Sequence, residues 1–186
     1  MTCPEKEKMM AGELYRAFEP CLVAERKKAN DLFSGLNITG KSSTEKREEI
    51  LRELFGHCGE NVWIESPFYC DYGSQILVGD NVFMNYNCTI LDAALVTIGD
   101  NVLFGPNVHL YSATHPTDAA VRASGLEHAK PVIIEENTWI GGSSVVCPGV
   151  TIGARSVIGA GSVVTKNIPP DVVAAGNPCR VIRHLS

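Results

Sequence analysis

Residues 132–168 read VIIEENTWIGGSSVVCPGVTIGARSVIGAGSVVTKNI. Every sixth residue from Ile134 is aliphatic: Ile134, Ile140, Val146, Ile152, Ile158 and Val164. Glycine comes next at 141, 153 and 159. Four places after each aliphatic residue stand Thr138, Ser144, Val150, Ser156, Ser162 and Ile168, all small or β-branched. A period of six is neither the 3.6 of a helix nor the 2 of a strand. It fits a coil with three flat faces, each a short strand and a tight corner. Residues 18 apart then stack: Ile134 on Ile152, Ile140 on Ile158, Val146 on Val164. Only the inward side chains must be aliphatic, while the corners favour Gly or Asn for tight or positive-φ turns. Each inward aliphatic residue contributes about 1.5–3 kcal/mol on full burial. One coil cannot cover its own top and bottom, so several must stack. An ordinary sandwich would need the same spacing by coincidence.

The same phase continues upstream at Ile98, Phe104 and Leu110, with Gly99 and Gly105 next to the first two. An earlier block, Val78, Met84 and Ile90, keeps the step of six and slips by two residues before Ile98. Cys70 and Cys88 are 18 apart, the spacing of stacked residues. Between Leu110 and Val132 the hexads vanish into YSATHPTDAAVRASGLEHAKP (111–131), which predicts a protruding loop. A loop of about twenty residues in a regular solenoid calls for a purpose, and such insertions often carry the binding site. This one holds His115, Asp118, Arg122, Glu127 and His128. His115 precedes Pro116, which restrains its backbone to extended conformations. Its imidazole suits a general base working near neutral pH; the other reading is a surface histidine that solvates the loop. No two of the five histidines have the spacing of metal ligands, so no metal site is expected.

Residues 1–60 differ from the rest. They hold 21 of the 37 charged residues, and only 5 of the 17 glycines. Leu22, Arg26, Ala29, Phe33 and Leu36 recur every three or four residues, as on one helix face. Pro20 marks that helix's start and Gly35 its limit. An earlier helix is expected over about 5–16. Ser42 and Glu45 fit a capping box ahead of Ile50, Leu51, Leu54 and Phe55, with Gly56 as the stop. The division expected is a helical segment, 1–60, docked on a coil, 61–186.

The chain has 186 residues, 45% hydrophobic and 20% charged, which suits one packed domain with an appendage. Its net charge of −5 speaks against a nucleic-acid partner, which needs a basic face. No stretch approaches a membrane span, and the first twenty residues lack a signal-peptide core. Seven cysteines, an odd count without a CxxC, read as small buried hydrophobes rather than disulfides or ligands. A cytoplasmic location is expected.

The hexads resemble the hexapeptide-repeat family, whose fold is a left-handed parallel β-helix and whose members are typically trimers. The hand comes from the resemblance alone. Closer matches lie in EKMMAGELY (7–15), VAERKKA (23–29), PFYCDYG (67–73), NYNCTILD (85–92), THP (114–116) and AAGNPCRVIR (174–183). Together they resemble the maltose/galactoside O-acetyltransferase branch across nearly the whole chain. That resemblance implies transfer of an acetyl group from acetyl-CoA to a sugar hydroxyl by direct attack, in a homotrimer with active sites between subunits. It makes His115 the base and the Gly142 backbone N–H the oxyanion donor, where relatives can have Ser. Asn85 and Asp71 become acceptor contacts. Asp92 would partly replace a carboxylate that galactoside-type members carry where this chain has Ala93. Glu127 would orient His115 or meet the acceptor. Trp139, Ala160, Thr165, Lys166, Arg180 and Arg183 fall on the acetyl-CoA side, the basic residues suiting phosphates. Galactoside-type members have Ser where this chain has Asp71, and acids at the Ala17 and Ala93 positions, so the pattern is maltose-like. Three other readings stay open: a hexapeptide acyltransferase with a non-sugar or oligosaccharide acceptor, a metal-dependent carbonic anhydrase-like β-helix, and a non-catalytic trimeric scaffold.

Overall fold

The computed structural model describes residues 3–186. The hexads wind into a three-sided prism of parallel sheets, mainly β as expected. The first face stacks His57–Cys58, Ile76–Val78, Val96–Ile98, Val132–Ile134 and Thr151–Ile152. The second stacks Trp63–Ile64, Phe83–Met84, Leu103–Phe104, Trp139–Ile140, Val157–Ile158 and Val172–Ala175. Arg180–His184 returns antiparallel along the last of these. The third face stacks Phe68–Cys70, Cys88–Leu91, His109–Tyr111, Val145–Val146 and Val163–Val164. Ile134 pairs with Ile152, Ile140 with Ile158 and Val146 with Val164. All six are fully buried, so one aliphatic column lines each face. Corner asparagines take the left-handed conformation at 61, 81, 87, 101, 107 and 137. Their amides ladder from coil to coil, Asn61 to Asn81 at 3.1 Å and Asn81 to Asn101 at 3.2 Å.

The two-residue slip has a simple cause. Early coils run 20 residues: Trp63 pairs with Phe83, and Phe83 with Leu103. Their third-face strands are three or four residues long, against two in the later coils. Cys70 therefore stacks on Ile90 and Cys88 on Phe68, not on each other.

The amino-terminal segment departs further from expectation. Helix α1 spans Pro4–Ala11 and stops at Gly12, whose φ is +73°. Tyr15–Arg16 is a strand, β1, where a helix was expected. Helix α2 spans Pro20–Ile38 and passes straight through Gly35. Its buried residues Leu22, Ala29, Phe33 and Leu36 hold the helix onto the coil, and this packing outweighs one glycine's propensity. Helix α3 spans Thr44–Leu54 with Ser43 as N-cap, so the Ser42–Glu45 capping box does not form. Gly56 is a close approach rather than a helix stop, since a Cβ there would lie 2.3 Å from the Ser74 carbonyl oxygen.

Cys3 and Cys21 form a disulfide joining α1 to the start of α2, which corrects the reading of all seven cysteines as unpaired. It closes 18 residues of chain that include β1. Constraining a loop of that size stabilises by about 3 kcal/mol in the chain-entropy model. Cys21→Ser, or added dithiothreitol, is expected to lower the urea midpoint accordingly. Equal midpoints with and without reductant would show that the bond contributes nothing.

The insertion is folded, not free. Strand β2 (Ala113–Thr114), helix α4 (Ala119–Ala123) and strand β3 (Leu126–Ala129) follow one another. β3 is the middle of a three-stranded antiparallel sheet, pairing Thr114 with His128 and Tyr15 with Glu127. The amino-terminal segment thus reaches across and clasps the insertion.

Candidate active site

That clasp builds a recess of about 230 Å³ at the edge between the third and first faces. Strand β1 sends Tyr15 and Ala17 inward, and Phe18 stands at the rim, 81% exposed. The end of the first coil's third face contributes Asp71 and Tyr72, the next coil Ala93, and β3 contributes Glu127. Tyr15 donates its hydroxyl to the Glu127 carboxylate at 3.1 Å. Burial, helped by Glu127, pushes the Tyr15 phenol well above its usual range, so it stays a donor. Arg26 of α2 donates to the Tyr72 hydroxyl at 2.6 Å and to the Ala17 carbonyl at 2.7 Å. Burial raises the Asp71 carboxyl above its ordinary value; Arg26 pulls it down and Glu127 pushes it up.

A second recess of about 240 Å³ shares Phe18 and Glu127 with the first and contains His115. His115 is exposed. Arg122 braces its segment by donating to the carbonyls of Pro116 at 2.9 Å and Thr117 at 3.2 Å. Asp118 caps α4 through the Val121 N–H at 2.9 Å. Asp71 and His115 therefore line neighbouring recesses with Phe18 and Glu127 as their common wall. No hydrogen bond joins Glu127 to His115 among the described residues; the carboxylate is taken by Tyr15.

Asp92 does not line the recess, against expectation. It is fully buried behind it. Its Oδ1 accepts the N–H groups of Asp71 at 3.0 Å and Tyr72 at 2.9 Å, and its Oδ2 has no partner. A substrate contact there is replaced by a brace for the turn that presents Asp71. Burial raises its carboxyl to about 6, although the Tyr72 N–H opposes the shift. The folded value lies above the unfolded one, about 3.9. Stability from this group is therefore full below that unfolded value and is lost as pH rises through about 6. Asp92→Asn keeps an acceptor oxygen and removes the charge. The variant is expected to gain about 2–3 kcal/mol over wild type at pH 7.5 and nearly nothing at pH 4. Thermal melts at the two pH values check this; a pH-independent difference would contradict it.

The remaining candidates lie elsewhere on the prism. Asn85 and Gly142 sit on the edge between the second and third faces, with Gly105 between them: Asn85 donates its N–H to Phe104, and a Cβ on Gly105 would lie 2.5 Å from the Gly142 nitrogen. Ala160 is next along this edge, exposed. The backbone N–H groups of Gly142 and Ala160 donate to no acceptor among the described residues. The third face separates this edge from the one bearing His115; about six residues at about 3.3 Å each make it about 20 Å wide. One chain does not bring His115 to Gly142 or Asn85. Trp139 is 53% exposed on the second face, in register with Leu103 and Val157. Thr165 and Lys166 follow the last third-face strand, and Arg180 and Arg183 lie on the return strand, all exposed. Lys166, Arg180 and Arg183 form no ion pair among the described residues. No group of three or more His, Cys, Asp or Glu is gathered for a metal among the described residues.

Tyr15, Phe18 and Tyr72 were not singled out from the sequence, and Arg26 was read only as part of a helix face. Burial alternates from Tyr15 to Phe18 with a strand's period of two, but Tyr15, Arg16, Ala17 and Phe18 carry no polar alternation by which the sequence could have announced it.

Known proteins agree with this architecture. Residues 8–59 match the maltose acetyltransferase hexapeptide capping motif, and residues 131–166 match the bacterial transferase hexapeptide repeat. A galactoside O-acetyltransferase of Escherichia coli K12 is 47% identical, across 100% of this chain and 92% of its own. The crystal structure of a maltose O-acetyltransferase from Clostridium difficile superposes with a TM-score of 0.97 at 52% identity, covering 100% of this chain and 98% of that one. A hexapeptide-repeat acetyltransferase from Vibrio cholerae, complexed with acetyl coenzyme A, superposes at 0.92 with 41% identity and full coverage of both chains. The chain is thus a left-handed parallel β-helix of hexapeptide repeats, and it belongs to the maltose/galactoside branch of the hexapeptide-repeat O-acetyltransferases.

Proposed function

We propose that this enzyme moves the acetyl group of acetyl-CoA to a hydroxyl of a maltose- or glucose-type sugar, with His115 as general base. The observation that carries the reading is that the recess holding Asp71 and the recess holding His115 share Phe18 and Glu127 as walls. Asp71 offers free lone pairs to sugar hydroxyls, and Phe18 gives an apolar surface for the ring. His115 takes the hydroxyl proton as the oxygen attacks the thioester carbon. The oxyanion of the tetrahedral intermediate needs a preorganised donor, and the free Gly142 N–H suits it. Collapse breaks the C–S bond, and the proton passes from His115 to the departing thiolate. No acetylated residue is required, because holding both substrates together lowers the barrier by itself.

Acetyl-CoA fits the second face and its edges. The free Ala160 N–H suits an amide of the pantetheine arm, Trp139 and Thr165 flank it, and the unpaired Lys166, Arg180 and Arg183 suit the phosphates. Since His115 and Gly142 stand on different edges, the complete site forms between neighbouring chains, in keeping with a homotrimer. Asn85 would join it from the Gly142 edge, and Glu127 would shape the acceptor side rather than orient His115.

No helix among the described residues is long and apolar enough to cross a membrane. In a cytoplasmic setting the Cys3–Cys21 bond would be exposed to reduction.

Thiol release from acetyl-CoA, followed over a panel of sugars, tests the reading. Sugar-stimulated release with an O-acetylated product is expected. Release that no sugar stimulates overturns it, and loss of activity on chelation would favour a metal mechanism instead.

A further inference from the structure

The acceptor recess is short of positive charge. Asp71 is half-buried, and its carboxylate accepts no hydrogen bond and joins no ion pair among the described residues. Glu127 receives only the Tyr15 hydroxyl. Immediately behind Asp71 lies the buried Asp92, with an oxygen that nothing satisfies. Arg122, in the adjoining recess with His115 and Glu127, is turned to the carbonyls of Pro116 and Thr117, so the recess itself sets one guanidinium against these three carboxylates, Arg26. It is committed to neutral partners, the Tyr72 hydroxyl and the Ala17 carbonyl, and lies 5.4 Å from the Tyr72 ring centre and 6.0 Å from that of Phe18. It makes no contact within 4 Å with either recess carboxylate, since no such ion pair forms.

A polyol fills the hydrogen-bonding capacity of such a recess and leaves its charge uncompensated. An ammonium group does both, because it brings three donors and a positive charge. A divalent cation is a poorer match, as no set of three ligating side chains converges among the described residues. Resting on the acetyl-transfer reading of this site, we infer that the preferred acceptor is a hydroxylated amine, such as an amino sugar, whose ammonium lies against Asp71 and Glu127 while a hydroxyl is turned to His115. The elevated Asp71 carboxyl fits this arrangement, since an arriving cation would restore its charged form. Other ionisable groups facing the recess are Tyr15, Arg26, Tyr72 and Glu127, with Asp92 behind and His115 and Arg122 across the shared Glu127 wall. The amine stays protonated and is not the nucleophile, so the C–O bond forms at a hydroxyl and the amine leaves unmodified.

The experiment compares glucosamine, glucose and N-acetylglucosamine, the last keeping the nitrogen and losing the charge. Kinetics of thiol release give kcat/KM, and NMR of the product gives the acetylated atom. Calorimetry of each sugar on the enzyme without acetyl-CoA reads the recess independently of turnover. Glucosamine is expected to exceed both neutral sugars by about tenfold or more, mainly in KM and in affinity, with acetyl on oxygen. Asp71→Asn and Glu127→Gln are each expected to weaken glucosamine more than glucose and so shrink that ratio. A wild-type ratio near one, a ratio unchanged in both variants, or acetylation at nitrogen overturns the inference. Acetylation without discrimination defeats the amine preference and leaves the activity standing. Discriminating binding with no acetylation defeats the activity and supports the amine preference.

Discussion

His115→Ala is expected to lower kcat for sugar acetylation by about 10²–10⁴-fold, with little change in KM for either substrate. The size follows from the chemistry. A neutral hydroxyl is a weak nucleophile, and removing its proton during attack is the role proposed for His115. Glu127 is occupied by Tyr15, and Arg122 is tied to the backbone of the same loop. The variant is also clean. His115 is exposed and makes no hydrogen bond among the described residues, so stability should move by less than about 0.5 kcal/mol. Thermal melts would establish that, and steady-state kinetics would read the rest. A kcat within a few-fold of wild type, in a folded protein, removes His115 from the chemistry.

Arg47→Ala carries the largest expected cost in stability, about 3–5 kcal/mol. Arg47 is 4% exposed between α3 and the first coil. Its guanidinium donates to the carbonyls of Leu36 at 3.0 Å, Thr39 at 2.9 Å and Ile64 at 2.5 Å, and it lies 5.5 Å from the Trp63 ring centre. These carbonyls belong to the end of α2 and to the second face of the prism, so one side chain ties the helices to the coil. Burial lowers its basicity, and Glu65 partly offsets that. Truncation leaves the helix-end and strand carbonyls without donors. Arg47→Lys should recover only part of the loss, since one ammonium lacks the guanidinium's planar fork. Urea unfolding of the three proteins checks the order, and an alanine variant within 1 kcal/mol of wild type refutes it.

The coil was legible because its geometry asks for the same kind of residue at the same place in every turn. Ile134 through Val164 state the answer six times, and burial of all six agrees. The acceptor recess is the opposite case. Tyr15 and Glu127 meet across 112 residues through a two-residue strand, too short for a periodic signal. Asp71 and Glu127 could be named from the family resemblance, yet only the fold places them in one hollow. Asp92 was misjudged because it was assigned from its place beside Ala93, and sequence position does not show that its side chain turns under Asp71 to accept backbone N–H groups. Cys3 and Cys21 were misjudged because cysteine pairing depends on where two helices cross.

The clasp between β1 and β3 amounts to two residue pairs, Tyr15 with Glu127 and Arg16 with Leu126. Everything proposed for the acetyl donor lies on the repeating coil and its return strand, while much of the acceptor wall arrives with the amino-terminal segment. The helices behind that wall share the buried core of the coil, so substitutions at Phe18 or Tyr15 can reshape the acceptor side while the donor side keeps its frame.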